Sequence, residues 1–178
     1  DGGVYVSIDG GAGWTWLGSG MNITQFYRLG TSATDPGVLI AGAQDNGTKG
    51  LGGSVWNDVL GGDGMEALVD YTNANVMFGS LYYGDIYKST NGGASFTSST
   101  LGITEQGAWV TPYVMHPTNP NTLFAGFANV WKSTSGGAGW VRLGQIGGSS
   151  LTILAVVLAE VAFINYFRFS MKIHSYLA

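Results

Sequence analysis

Cysteine is absent from the 178 residues, which excludes a disulfide scaffold, a thiolate metal site and a cysteine nucleophile. Charge is scarce as well. Only 10% of the residues are charged, and 7 Lys+Arg against 11 Asp+Glu leave a net charge of -4. A nucleic-acid binder needs a basic stripe to neutralise phosphates, and none exists here. No Ser-His-Asp set, phosphate-binding glycine loop, dinucleotide fingerprint or zinc spacing is present, so no cofactor and no metal are expected. The first residue is Asp1, with no charged and apolar leader behind it. The chain is therefore expected to carry no signal peptide of its own and reads as an internal piece or a processed product.

Glycine and aromatic residues fill the space that charge leaves. There are 30 glycines, all within 1–148, along with 6 Trp, 9 Tyr and 8 Phe. Such a chain has apolar surface to bury and is not a disordered tail. Three stretches align: Ser7-Ile-Asp9-Gly-Gly11-Ala-Gly-Trp14, Ser89-Thr-Asn91-Gly-Gly93-Ala-Ser-Phe96 and Ser133-Thr-Ser135-Gly-Gly137-Ala-Gly-Trp140. Trp14 and Phe96 lie 82 residues apart, so a repeat of half that length requires an aromatic near 55. Trp56 fills the place after Gly50-Leu-Gly-Gly53, giving spacings of 42, 40 and 44.

Other features keep this period. Asp35-Pro-Gly37, Thr72-Asn-Ala-Asn75 and Thr118-Asn-Pro-Asn121 each precede an apolar run at 38–41, 76–79 and 122–125. A second short run follows, at 84–89 and 129–133, with 3–7 as its equivalent at the start. Strands of four to six residues rich in Val, Ile, Tyr and Trp, broken by Gly, Asn and Pro, specify an all-β fold. Four strands per repeat of this length are the signature of a β-propeller blade. Residues 1–150 are expected to form a partial propeller of antiparallel four-stranded blades.

The repeated motif has a physical logic. Gly-Gly supplies positive φ for a tight turn between the third and fourth strands. Asp9, Asn91 and Ser135 are expected to staple that turn by accepting backbone amides, with Ser7, Ser89 and Ser133 at its start. Trp14, Phe96 and Trp140 are expected to be wedges between neighbouring sheets, beside Gly11, Gly93 and Gly137. These residues are read as scaffold.

The three motifs resemble the Asp-box, or bacterial-neuraminidase repeat, recurring in register over residues 1 to about 156. Such boxes occur in sialidases, xyloglucan-cleaving endoglucanases, sortilin-type receptor propellers, a photosystem assembly factor and large secreted bacterial proteins. Gly42-Ala-Gln44-Asp45-Asn46-Gly47-Thr48, Trp56 and Gly61-Gly62-Asp63-Gly64 look most like the sortilin-like bacterial group. The resemblance implies about 3.5 blades of a larger exported, extracellular or cell-surface bacterial protein that displays loops to a glycan or protein partner.

The alternative is a glycoside hydrolase, xyloglucanase- or sialidase-like, whose site lies largely outside these residues. Sialidase chemistry needs an arginine cluster, a tyrosine with a glutamate, and an acid/base. Residues 1–148 hold only Arg28 and Arg142, and Glu66 and Glu105 have no visible partner. A glycanase needs two facing carboxylates, for which Asp45 and Asp63 are the candidates. Their plainer reading is as special turns, and a calcium site with Asn46 has no supporting spacing. His116 stands where Asp70 stands one repeat earlier and reads as a turn residue. Tyr82, Tyr83 and Trp109 are candidates for stacking on sugar rings or a partner. Asn22-Ile-Thr24 and Asn46-Gly-Thr48 are glycosylation sequons, relevant only to a eukaryotic secretory route.

The period ends near Gly148. Residues 151–178 contain no glycine or proline and carry a net charge of +1, from Arg168 and Lys172 against Glu160. Three readings remain open for this apolar tail: a membrane helix over 151–167, a buried or amphipathic helix, and a frameshifted or truncated continuation.

Overall fold

The computed structural model describes residues 3–21 and 24–143. The tail, the expected boundary at 150 and the Asn22 sequon fall outside them. Among the described residues, no helix is long and apolar enough to cross a membrane.

The chain opens with a hairpin, β1 (Tyr5–Val6) and β2 (Thr15–Trp16). Three four-stranded antiparallel sheets follow, each a meander in chain order. The first comprises β3 (Phe26–Thr31), β4 (Val38–Ala43), β5 (Thr48–Gly52) and β6 (Val55–Leu60). The second comprises β7 (Ala67–Asp70), β8 (Asn73–Ser80), β9 (Ile86–Ser89) and β10 (Thr97–Ser98). The third comprises β11 (Tyr113–His116), β12 (Asn119–Gly126), β13 (Val130–Ser133) and β14 (Val141–Arg142). The first strands, β3, β7 and β11, neighbour one another in turn, so the sheets fan out from a common side.

Period-2 alternation builds a core on both faces of the second sheet. Met77 points to the first sheet and packs with Ile40, Ala67 and Val69, with Val59 and Phe96 alongside. Its neighbour Phe78 points to the third sheet and packs with Ile86, Tyr113, Leu123, Phe127, Trp131 and Trp140.

The Gly-Gly turns form as the sequence specifies. The Ser7, Ser89 and Ser133 hydroxyls accept the amides of Gly11, Gly93 and Gly137 at 2.8, 3.0 and 2.9 Å. Those glycines have φ of +95, +87 and +83°. Asp9 and Asn91 accept the Gly13 and Ser95 amides at 2.9 and 3.0 Å. The Gly13 amide, then the Ser7 hydroxyl, hold the Asp9 carboxyl below its ordinary range. Ser135 departs from its expected role: its hydroxyl donates to the Gly139 carbonyl instead of accepting an amide.

The wedges divide. Trp140 is buried against the second sheet and Phe96 is half-buried against the first. Trp14 is 66% and Trp56 51% exposed. Each buried wedge lies on the sheet before its own, and for Trp14 no preceding sheet is present among the described residues. Trp56 keeps the spacing but not the turn. It lies within β6 opposite Leu51, after a tight Gly53 turn without the Ser-x-Asx staple.

His116 behaves as expected. Its Nδ1 accepts the Thr118 amide at 3.2 Å, the place taken by the Asp70 carboxylate on Thr72 at 2.7 Å.

Candidate functional site

The meander sorts the loops onto two rims. Turns between first and second strands and between third and fourth strands lie at one end of every sheet. Turns between second and third strands and the crossings to the next sheet lie at the other. The Gly-Gly staples and the Asp70 and His116 turns therefore share one rim. Asp45, Asp63, Glu66, Tyr82, Tyr83, Glu105 and Trp109 share the opposite one.

Asp45 lies in the β4–β5 turn with φ +54°, and Gly47 follows at +68°. Asp63 lies in the crossing to the second sheet, and its carboxylate accepts the Asp45 amide at 2.6 Å. The two candidate residues thus meet at one junction, through the Asp45 backbone amide. Asp63 clamps the turn that displays Asp45, while the Gly47 amide bonds to the Gly62 carbonyl at 2.8 Å.

Tyr82 and Tyr83 form a 3-10 turn, Tyr82–Gly84, between β8 and β9. Trp109 comes from the crossing between the second and third sheets. Tyr82 stacks on Trp109 with centroids 5.3 Å apart, and Tyr83 meets both rings edge-on, at 5.6 and 5.4 Å. All three stay exposed, at 39, 43 and 41%. The three rings thus form an exposed aromatic surface fixed by its own ring contacts.

The backbone fixes this cluster. Tyr83 has φ +62°, its amide donates to the Trp109 carbonyl at 3.3 Å, and its carbonyl accepts the Gly107 amide at 2.9 Å. Gly84 lies over Phe127 so closely that a Cβ would come within 2.3 Å of the ring. The Trp109 indole donates to the Tyr27 hydroxyl at 3.3 Å, and Tyr27 in turn bonds Gln44. This chain of contacts joins the aromatic cluster to the turn that holds Asp45. A hollow of about 320 Å³ opens on the Asp45 turn, lined by Asp45, Asn46 and Asp58, and one of about 380 Å³ lies apart from it, lined by Asn57 and Gly93.

Both glutamates that lacked visible partners in the sequence have them in space. Glu105 accepts the Asn129 amide at 2.9 Å and the Trp131 indole at 3.1 Å, which locks the crossing onto the β12–β13 turn. Burial works against its charge, but these donors outweigh it and hold the carboxyl below its ordinary range. Glu66 faces Arg28 at 3.3 Å, and its backbone carbonyl accepts the hydroxyl of the fully buried Tyr113 at 2.9 Å. Burial raises the Glu66 carboxyl above its ordinary range despite Arg28.

An acid raised in the folded state holds its proton more tightly there than in the unfolded chain. Stability therefore falls as pH rises through the window above the ordinary glutamate pKa. Glu66→Gln is expected to flatten that segment of a stability–pH profile measured by urea unfolding. Arg28→Met is expected to steepen it.

Among the described residues the arginines do not cluster: Arg28 is in β3, tied to Glu66, and Arg142 is in β14 of another sheet. Among the described residues, no group of three or more His, Asp or Glu side chains converges on a metal-sized site.

No protein-family profile and no curated protein matches the chain. Solved structures do. The chain is similar to the GH74 xyloglucanase of Xanthomonas campestris, at 16% identity and a TM-score of 0.56 over 67% of this chain and 20% of that one. It is similar to the GH74 enzyme of Niastella koreensis at 21% and 0.53, covering 80% and 21% of the two chains. An ancestral GH74 enzyme matches at 20% and 0.54, covering 82% and 22%. The chain spans about a fifth of the length of these structures. The likeness shows the fold: the four-stranded sheets are blades of a β-propeller.

Proposed function

We propose that this chain is a recognition module, a run of Asp-box propeller blades within a larger exported bacterial protein, which binds a glycan through its loop rim. The observation that carries this reading is the exposed Tyr82–Tyr83–Trp109 cluster. Sugar rings present C–H faces that pack on aromatic faces, and polar groups nearby set orientation. Gln44, Asp45 and Asn46 supply such groups through the Tyr27 link to Trp109. The rest of the parent propeller completes the ring around this rim, outside the cell or at its surface. The xyloglucanase named among the similar structures makes xyloglucan the first probe and a mucin the second.

Affinity electrophoresis of the chain in gels containing either polymer tests the reading. Retardation is expected, and Trp109→Ala and Tyr82→Ala are each expected to weaken binding about tenfold, the effect of about 1.4 kcal/mol. Binding unchanged in both variants would reject the aromatic surface as the site.

A second reading, a glycoside hydrolase, is favoured by the meeting of Asp45 and Asp63 on the same rim. It requires the chain to release reducing ends from xyloglucan, and Asp45→Asn or Asp63→Asn to abolish that release without lowering the melting temperature. Inactivity of this chain would remove Asp45 and Asp63 as a self-sufficient catalytic pair.

A further inference from the structure

The Gly-Gly turn of the third sheet meets the second sheet through a lysine. The Lys88 ammonium lies 5.5 Å from the Phe78 ring centroid and donates to the Gly136 carbonyl at 2.7 Å. The Ser99 hydroxyl donates to the Gly137 carbonyl at 2.7 Å. A Cβ on Gly136 would find the Lys88 Nζ at 3.1 Å and the Asn121 Oδ1 at 3.3 Å. The ammonium thus fills the space beside this turn.

The junction between the first and second sheets repeats this frame without the ammonium. The Gly92 amide bonds to the Asn75 carbonyl at 2.9 Å, as the Gly136 amide bonds to that of Asn121 at 2.7 Å. A Cβ on Gly92 would meet the Asn75 Oδ1 at 3.4 Å and, chain neighbours aside, nothing else within 4 Å. Ile40 packs toward the second sheet as Phe78 packs toward the third. Lys88 pairs with Phe78, and the residue that pairs with Ile40 is Gly50. Gly50 therefore stands in the lysine's place and has no side chain to send. Among the described residues no side chain donates to the Gly92 or Gly93 carbonyl.

The hollow of about 380 Å³ occupies this place. Leu51, Val59 and Met77 give it apolar walls, and Gly92 and Asn57 give it polar ones. Asp58 also lines it, with its carboxylate engaged by the Lys49 ammonium, so that cation is already spent. A Cβ on Gly93 would lie 3.5 Å from the Met77 Sδ and 3.6 Å from the Val59 Cγ1, against 2.4 Å from the Ser99 hydroxyl at Gly137, so the turn is seated less closely here. Both walls belong to described sheets of this chain, whatever blades flank them.

We propose that this hollow binds a primary alkylammonium group, the chemistry shared by a lysine side chain and a linear polyamine. The ammonium donates to the Gly92 carbonyl as Lys88 donates to that of Gly136, and the methylene stem lies along Val59 and Met77. The occupied seat one sheet later shows the chemistry that this frame accepts. The site stands at the Gly-Gly turn, on the rim opposite the aromatic cluster.

Titration of the isotope-labelled full chain with n-butylammonium chloride, followed by two-dimensional NMR, tests this. Saturable shifts of the Gly92, Gly93 and Asn57 amides are expected. n-Butanol is expected to bind at least about tenfold more weakly, because it brings no charge to the carbonyl. Lys88→Ala empties the occupied seat, so in that variant n-butylammonium is expected to shift the Gly136 and Gly137 amides as well and to raise the lowered melting temperature. Nα-acetyl-lysine amide and spermidine, titrated alike, identify the source by which of them binds more tightly. No saturable response at Gly92 and Gly93 overturns the proposal. So does an equal response to n-butanol, which would make the hollow an apolar crevice. A response at Gly136 in Lys88→Ala without one at Gly92 in the parent also overturns it, because the first junction would then be closed to the group that the second accepts.

Discussion

Trp140→Ala is expected to remove about 4 kcal/mol of stability, while Trp14→Ala at the same place in the repeat is expected to change it by no more than about 0.5. The two rings share a motif and differ in what stands before them. Trp140 is only 4% exposed within the core shared by the second and third sheets. Its deletion removes the transfer energy of a large side chain, leaves a cavity that close-packed neighbours fill only in part, and orphans the Ser99 carbonyl that its indole satisfies. Trp14 is 66% exposed and loses little. Phe96, half-buried, is expected to fall between them. Urea unfolding at dilute concentration measures all three. Equal losses at Trp14 and Trp140 would refute the view that each aromatic is clamped by the sheet preceding its own.

Gly42→Ala is expected to cost at least about 3 kcal/mol, by overpacking against backbone. No positive φ is involved. A Cβ at position 42 would lie 2.1 Å from the Met65 carbonyl oxygen and 2.6 Å from the Gly64 carbonyl carbon. Side chains can swing aside from a methyl group, but peptide planes cannot. The adjoining bond from the Gly64 amide to the Ala43 carbonyl, 3.0 Å long, fixes the crossing strand against β4. The first and second sheets must therefore separate, thinning the packing of Ile40, Ala67 and Met77. Gly52→Ala serves as the control. A Cβ there meets nothing within 4 Å, and the change is expected to stay within about 0.5 kcal/mol. A mild effect at Gly42 would show that the sheets slide more freely than their contacts imply.

The blades were legible because their signals are local. The Gly-Gly turn, its serine and the following aromatic lie within eight residues, and Thr-Asn-x-Asn and Asp-Pro-Gly mark strand starts without reference to the rest of the chain. His116 was legible for the same reason, since its turn partner is two residues away. Trp56 shows the limit of spacing as evidence: its period is right, yet its hairpin closes through Gly53 without a staple. Ser135 shows the limit of residue class, because a hydroxyl one atom shorter than an Asn amide turns to a carbonyl instead.

The loop rim was much less legible. Tyr82, Tyr83 and Trp109 stood out as aromatic residues in loops, but nothing in the sequence brings Trp109 to Tyr27, 82 positions earlier. Glu66 and Glu105 seemed solitary because their partners, Arg28 in β3 and Asn129 with Trp131 at the β12–β13 turn, come from distant parts of the chain. Asp45 and Asp63 were paired by composition, and only the folded crossing shows that one carboxylate holds the other's amide.

The left-handed backbone at Tyr83 has a consequence for kinetics. A tyrosine held at φ +62° stores roughly 1 kcal/mol of strain, which the Trp109 and Gly107 hydrogen bonds keep in place. These bonds fix the backbone of the turn, while the ring packs edge-on against Tyr82 and Trp109. Under the proposed glycan-binding reading, a ligand would meet a turn already ordered, so little entropy would be lost on capture. Relaxing that residue with glycine would ease the chain locally and, on the proposed reading, shorten the lifetime of the bound glycan.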